Sequence, residues 1–182
     1  AKVIAIINCP ATAIKRIVAP YMPKTELKQG IALEAKSYFP FPIDDSILDF
    51  EMLGDIVEKG VRKYDLLVAV CPIDTVRKNL SILEKAGVRP SSFISSSYAL
   101  GKVAEYASKK KDLKCFVDIG SSRTELIIYK DKTIVFTRKI PICGDDFTKS
   151  MTGALVSDRG RTQLTFAEAE KIKKEVGIPA DN

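Results

Sequence analysis

The stretch "CFVDIGSSRTELIIYKD", residues 115–131, contains the feature that decides the fold. An apolar run ends in Asp118, Gly120 follows two positions later, and the chain then resumes an apolar pattern. This order predicts a strand, a tight turn and a second strand, with a carboxylate at the tip of the first strand. Asp-x-Gly between two strands is also a common turn, so the stretch alone leaves open whether it binds phosphate.

The residue types in this turn suit a bound phosphate. Asp118 at the rim of a sheet can orient water on a magnesium ion, and Gly120 lets a phosphate approach the backbone closely. Successive backbone amides, together with the hydroxyls of Ser121, Ser122 and Thr124, can surround anionic oxygens. The turn is therefore a candidate nucleotide-phosphate site in which Asp118 contacts the metal through water.

The composition is that of an ordinary globular protein. The chain has 182 residues, of which 46% are hydrophobic and 29% charged, and its net charge is +6. No apolar window is long enough for a membrane span, and no signal peptide is recognisable. Four separated cysteines favour buried thiols, while the absence of histidine and of Cys-x-x-Cys excludes the usual zinc and Ser-His-Asp sites. These features fit a cytoplasmic protein that does not bind nucleic acid.

Strands that alternate with helices, followed by a three-strand meander, predict an α/β protein with mixed sheets. The first two predicted strands are expected to pair with each other across a short turn. The strands are predicted at residues 2–10, 12–20, 46–53, 63–72, within 87–95, 113–119, 123–130 and 133–141. The helices are predicted at residues 23–38, 73–86, 96–110, 145–156 and, after a Thr165/Glu168 capping box, up to Gly177. The lysines at 109–111 are expected to end a helix, and residues 157–163 to form a loop.

A second pattern lies downstream of the Asp-x-Gly turn. The order strand, turn, hairpin, third strand and helix resembles the phosphate-binding half of the actin and Hsp70 ATPase lobe. On the last helix, Glu170 and Lys173 form a Glu-x-x-Lys pair, which in that superfamily lies near the adenosine of the nucleotide. The same spacing is equally expected of an exposed ion pair on a helix surface.

Several segments together resemble the type IV pilus assembly protein PilM family, which is related to the cell-division protein FtsA. The segments occur in the family's order and cover most of the chain. They are "ELKQGIALEAKSYFPFPIDDSILDF", "LLVAVCPIDTVRKNLSILEKAGVRP", "VDIGSSRTELIIYKDKTIVFTRKIPICGDDFTKSM" and "FAEAEKIKKEVG". The resemblance implies an actin-like ATPase (ribonuclease H-like) fold. It places a partial first lobe at residues 1–111, with an inserted strand–helix–strand–strand (SHS2-like) subdomain at about 12–62, and the start of a second lobe at 112–182.

The resemblance also implies a function. Proteins of this family lie at the cytoplasmic side of the inner membrane and bind the cytoplasmic tail of the membrane protein PilN in a groove of the first lobe. They act with other pilus assembly proteins, and ATP with magnesium lies between their lobes. Ile6, Ile14 and Ile17 are the apolar residues predicted to contact such a tail, although strand residues of this kind also form plain core. A tail that adds to a strand edge gains main-chain hydrogen bonds.

The chain departs from the family pattern in two ways. The family's first Asp-x-Gly hairpin would precede residue 1 and its closing adenosine-binding segment would follow residue 182, so the chain is interpreted as a fragment lacking both ends that binds nucleotide weakly or not at all. Ser121 and Ser122 replace glycines of FtsA and Hsp70 relatives, and no general base is evident, so little or no ATP hydrolysis is expected. The alternatives left open are an FtsA-like protein that self-associates, a GspL-like protein of type II secretion, and a true actin- or Hsp70-type ATPase.

Overall fold

The computed structural model describes residues 2–7, 9, 11–107, 113–131, 133–157 and 160–177. The helices are α1 (Lys24–Tyr38), α2 (Ile73–Lys85), α3 (Ser96–Ala107), α4 (Gly144–Met151) and α5 (Phe166–Val176). The strands are β1 (Ile4–Ile7), β2 (Ala13–Pro20), β3 (Ser46–Glu58), β4 (Val61–Pro72), β5 (Ser92–Ser95), β6 (Lys114–Ile119), β7 (Thr124–Lys130), β8 (Thr133–Ile140), β9 (Ala154–Ser157) and β10 (Gly160–Gln163). The lysine run at 109–111 lies outside the described residues.

The chain divides into two compact units. Unit 1 comprises Ala1–Phe116 and Ile127–Arg138, and unit 2 comprises Val117–Leu126 and Lys139–Asn182. The boundary between the first and second lobes, predicted between residues 111 and 112, is not tested by this division and stays a prediction. Within the described residues, no helix combines the length and apolar composition that a bilayer crossing requires.

Unit 1 is built around an antiparallel sheet with strand order β2–β4–β3. With α1 between β2 and β3, these elements have the strand–helix–strand–strand order that the family resemblance implies, although β4 extends to Pro72, beyond the expected bound at about residue 62. The predicted pairing of β1 with β2 is wrong, because β1 pairs in parallel with β5. The β2–β4 pairing is longer than any pairing with β1 could be. β2 forms eight residue pairs with β4, from Ala13–Val70 to Pro20–Lys63, whereas β1 is only four residues long.

Helix α1 packs on one face of this sheet. Its residues Leu27, Ile31 and Ala35 recur every fourth position, so they lie on one side of the helix and are all buried. They pack with alternate residues of β4, of which Leu66 and Val68 are 0% exposed. The helix ends at Tyr38, and the next residue, Phe39, is extended because Pro40 follows it. This face of the sheet is therefore the core of unit 1.

The second half of the chain supplies a meander with order β6–β7–β8, followed by α4. The three strands lie within one residue of their predicted positions. The predicted loop at 157–163 is wrong, because β10 pairs with β9 as an antiparallel hairpin. The predicted helix at 145–156 ends early at Met151, where Gly153 and the strand-forming "ALVS" follow.

Helix α5 begins and ends as the sequence predicts. The Thr165 amide donates to Glu168 Oε2 at 2.8 Å, and the Glu168 amide donates to Thr165 Oγ1 at 3.3 Å, which forms the capping box. Gly177 ends the helix with φ of 67°, a left-handed conformation that favours glycine. All four cysteines are thiols rather than disulfides, as predicted, but only Cys143 is buried and Cys115 is exposed.

Candidate functional site

The Asp-x-Gly turn lies in unit 2, at the end of β6. Asp118 is exposed there, as are Ser121 and Ser122 in the turn itself. The Gly120 amide donates to the Arg123 carbonyl oxygen at 2.9 Å and closes the turn. A Cβ at residue 120 would lie 3.1 Å from the same oxygen. The tight turn alone therefore accounts for the glycine, whether or not a ligand approaches it.

Part of the turn fits a bound phosphate and part does not. The amides of Ser121 and Ser122 have no backbone acceptor within the described residues. Among the described residues, Nη1 of Arg123 is buried without a hydrogen-bond partner. Thr124 differs, because its buried hydroxyl donates to the Ile142 carbonyl oxygen at 2.6 Å. The single hydroxyl hydrogen of Thr124 is thus already used.

The N-terminus of α4 holds the turn in place. The Gly144 amide donates to the Gly120 carbonyl oxygen at 2.8 Å, and the Asp145 amide donates to the Ser121 carbonyl oxygen at 2.9 Å. These amides belong to the first helical turn, where N–H groups lack partners inside the helix. A Cβ at residue 144 would lie 3.3 Å from the Gly120 oxygen, so a side chain there would crowd this contact.

The Glu-x-x-Lys pair of α5 is bound to α4. Lys173 Nζ lies 2.6 Å from Glu170 Oε2, 2.8 Å from Thr148 Oγ1 and 3.0 Å from the Gly144 carbonyl oxygen. Thr148, which is 0% exposed, donates to Glu170 Oε2 at 2.5 Å. The pair is therefore part of a hydrogen-bonded cluster between two helices rather than a solvated surface pair. We call Thr148, Glu170 and Lys173 the α4–α5 cluster.

The charge of Glu170 is strongly stabilised in this cluster. Hydrogen bonds from Lys173 and then Thr148 lower the pKa of Glu170 from 4.5 to about 2. Lys174 adds an ion pair at 3.3 Å to Oε1 of the same carboxylate. Thr148 was not predicted as a site residue, since its only signal in the sequence is its position four residues after Gly144 on the inward face of a short helix.

No group of three or more metal-binding side chains occurs within the described ranges. The predicted metal contact therefore depends on Asp118 alone, through water. Gly120 and Lys173 both bond the backbone of Gly144, one to its amide and the other to its carbonyl group. The structure thus brings the predicted phosphate and adenosine residues into one bonded network, although their roles in binding stay predictions.

A cavity of about 600 Å³ lies in unit 1. Its floor is the face of the β2–β4–β3 sheet opposite α1, because cross-strand partners share a face of a sheet. The paired residues in this floor are Ile14–Ala69–Asp49, Leu67–Glu51 and Cys71–Ile47. All of β5 and the ring of Tyr98 also line the cavity, so it lies between a mostly apolar sheet face and a short parallel strand.

The three isoleucines predicted to contact a partner lie in different places. Ile14 lines the cavity but is only 4% exposed, because it packs with Ile127 and Tyr129. Ile17 is three residues further along β2, so its side chain lies on the opposite face of the sheet and is 1% exposed in the core with α1. Ile6 is 57% exposed on β1, and it is the adjacent Ile7 that lines the cavity. The structure therefore places only Ile14 of the predicted set at this cavity.

Two acidic residues at the cavity were not singled out from the sequence. Asp49 and Glu51 lie on the same face of β3 as Ile47, at alternate positions, and both are exposed. Glu51 Oε2 accepts a hydrogen bond from the Tyr98 hydroxyl at 3.3 Å. Burial, followed by the negative charge of Glu51, raises the pKa of Tyr98. The signal was the alternation "ILDFE", which assigns these carboxylates to the face opposite Leu48 and Phe50.

The strand–helix–strand–strand subdomain, and an Asp-x-Gly hairpin whose meander leads into α4, define a protein with the actin-like ATPase fold. The family described as type IV pilus assembly protein PilM matches residues 1–182, and the chain belongs to this family. The chain is also similar to the solved PilM-PilN type IV pilus biogenesis complex, with a TM-score of 0.77 and 26% identity. That match covers 97% of this chain and 51% of the other chain.

Curated relatives include cell division proteins FtsA. The chain is 29% identical to FtsA of Bacillus subtilis over 98 residues, which is 54% of this chain and 21% of that protein. It is 27% identical to FtsA of Neisseria meningitidis over 154 residues, which is 78% of this chain and 36% of that protein. The chain thus spans a minor part of these relatives' length. The predicted family and fold class are confirmed.

Proposed function

We propose that the intact protein is a cytoplasmic adaptor of type IV pilus assembly that binds the tail of a PilN-like inner-membrane protein in the cavity of unit 1. The observation that carries this proposal is an open cavity of about 600 Å³ with a mostly apolar floor, in a chain of the PilM family. The similar solved structure is a complex of PilM with PilN. The adaptor would associate with the membrane through this partner and would act with other pilus assembly proteins.

The walls of the cavity suit an extended peptide. Ile47, which is 44% exposed, and the half-buried Ala69 offer apolar surface, which stabilises a bound apolar group by about 25 cal/mol per Å² buried. β3 is an edge strand of its sheet, and among the described strands β5 pairs with β1 alone. Each therefore has an edge whose backbone groups can bond an added strand. A peptide here would combine main-chain hydrogen bonds with side-chain burial.

ATP with magnesium is the second ligand of the proposed adaptor. Asp118, Gly120, Ser121 and Ser122 would hold its phosphates, with Asp118 contacting the metal through water, and the amides of Ser121 and Ser122, which have no backbone acceptor among the described residues, support this assignment. Bound ATP would supply a charged ligand that orders the intact protein, with little or no hydrolysis. Thr124 would not donate a hydrogen bond to the phosphates, because its hydroxyl hydrogen is donated to the Ile142 carbonyl oxygen. Its role would be to hold the turn in place.

Tail binding can be tested by calorimetry with the full-length protein. The titrant is a synthetic peptide of the cytoplasmic tail of the PilN-like protein from the same organism. Ala69→Phe places a ring on the cavity floor, so we expect affinity for the peptide to fall by at least about tenfold. Ala167→Phe is the matched control, because Ala167 is exposed on α5 in unit 2. Absence of peptide binding to the folded wild-type protein would refute the proposal.

Nucleotide binding requires a separate measurement. Titration of the full-length protein with a fluorescent ATP analogue and magnesium should give weaker binding for Asp118→Ala than for the wild type. Asp74→Ala is the control, because Asp74 is 92% exposed on α2 in unit 1. Equal affinity of all three proteins would remove Asp118 from the nucleotide site.

A further inference from the structure

The cavity in unit 1 has a net negative charge. The charged residues among those lining it are Asp49 and Glu51, both acidic, in a chain whose net charge is +6. They are two positions apart on β3, so their Cα atoms are about 7 Å apart and their side chains lie on one face. Ile14, Leu67 and Ala69 lie beside them on the same sheet face. The floor therefore pairs an apolar centre with an acidic edge.

Among the described residues, these carboxylates have no salt-bridge partner, and the charged group that attracts Glu51 from a longer distance is Lys102. Asp49 Oδ1 accepts from the Phe50 amide at 2.9 Å, and Glu51 accepts from the neutral Tyr98 hydroxyl. The nearby ammonium of Lys102 lies 5.2 Å from the Tyr98 ring centre and pairs with Glu105 at 3.3 Å. Within the part of the chain that the structure describes, neither Asp49 nor Glu51 forms a salt bridge.

This arrangement constrains the ligand. An apolar peptide that covered the floor would take water away from both carboxylates, and desolvation of an unpaired charge is costly. A ligand with a cation at this edge would replace the lost water with charge-assisted hydrogen bonds. A ligand with an acidic residue there would be rejected, which gives the cavity specificity as well as affinity.

We propose that the segment bound in this cavity is an extended peptide whose apolar side chains cover Ile47 and Ala69, and whose lysine or arginine side chain pairs with Asp49 and Glu51. The inference rests on the proposed function, since it names the chemistry of the tail that the adaptor binds. Arginine suits the site best, because its planar guanidinium can bond two acceptors at once.

The test is a double-mutant cycle by calorimetry with the full-length protein. One partner is wild type or Asp49→Asn/Glu51→Gln, and the other is the synthetic tail peptide or the same peptide with every lysine and arginine replaced by norleucine. We expect the variant to bind the native tail about three- to tenfold more weakly, as two partly exposed ion pairs are lost. The norleucine peptide should bind both proteins equally, and added salt should weaken only the native pair.

A charge-matched control separates a local effect from a change in net charge. Glu26→Gln/Glu34→Gln removes the same two charges from α1, which packs on the opposite face of the sheet. This variant should bind the tail like the wild type. If the tail binds but Asp49→Asn/Glu51→Gln binds it equally well, or loses as much affinity for the norleucine peptide, the inference is overturned and the adaptor proposal stands. If the tail binds no folded protein, the adaptor proposal itself is refuted.

Discussion

Acidic groups in the two units have opposite surroundings. In unit 2, Glu170 accepts bonds from a buried hydroxyl and an ammonium and forms a second ion pair. In unit 1, Glu51 and Asp49 each accept one bond from a neutral donor and remain exposed. The bonds of Glu170 thus join two helices, whereas Glu51 and Asp49 keep oxygen lone pairs that can accept bonds from a ligand. Both kinds occur in one chain and look alike in sequence.

The largest expected effect lies in the α4–α5 cluster. Thr148→Val keeps the shape of a fully buried side chain but removes the donor to Glu170 and the acceptor for Lys173. We expect the free energy of unfolding to fall by about 1–3 kcal/mol, because bonds to charged groups are lost in a buried site. Urea denaturation measures this loss.

A nearby hydroxyl provides the control for this loss. Ser150→Ala also removes a hydroxyl from α4, but from an exposed residue whose Oγ bonds a carbonyl oxygen of its own helix. Its effect should lie within about 0.5 kcal/mol. Equal stabilities of Thr148→Val and Ser150→Ala would show that the cluster does not join the helices.

An intermediate effect is expected on the pH dependence of stability, through the ionisation of Glu170. The folded-state pKa of Glu170, about 2, lies below the ordinary 4.5, so its stabilisation is complete above about pH 4.5 and is lost as the pH falls toward 2. Glu170→Gln cannot lose a charge in that range. The difference in urea midpoint between wild type and Glu170→Gln should therefore shrink from pH 5 to pH 2. A constant difference would contradict the bonding described for this carboxylate.

The smallest expected effect is the change in the free energy of unfolding when the two cavity carboxylates are replaced. Asp49→Asn/Glu51→Gln breaks no salt bridge described in the structure, so the free energy of unfolding should change by less than about 0.5 kcal/mol. Urea denaturation at pH 7, beside the Thr148→Val variant, checks this expectation. A large destabilisation would mean that these carboxylates belong to the architecture of unit 1, and the contrast with Glu170 would disappear.

Much of the fold was predictable because its signals are local. Apolar alternation placed β6, β7 and β8 within a residue, and the Thr165 capping box placed the start of α5. Partner choice was not predictable, since the β1–β5 ladder joins strands more than 80 residues apart. The strand character of β10 was also hidden, because "GRTQ" is polar and is ordered by its pairing with β9.

The sites were predictable to a smaller extent. The chemistry of the Asp-x-Gly turn is visible in the sequence, because it depends on neighbouring residues. The burial of Thr148 and its bonds to α5 depend on how two helices pack, which spacing alone does not give. The position of Ile17 could have been derived, since an odd separation from Ile14 on one strand puts it on the other face.

Gly144 connects the Asp-x-Gly turn to helix α5 through two hydrogen bonds. Its amide is bonded to the Asp-x-Gly turn and its carbonyl oxygen to the ammonium of Lys173, so one residue connects the turn with α5. Any displacement of the turn by an incoming anion must either carry the start of α4 with it or break one of these bonds. A spectroscopic label on α5 would then report an event at the turn.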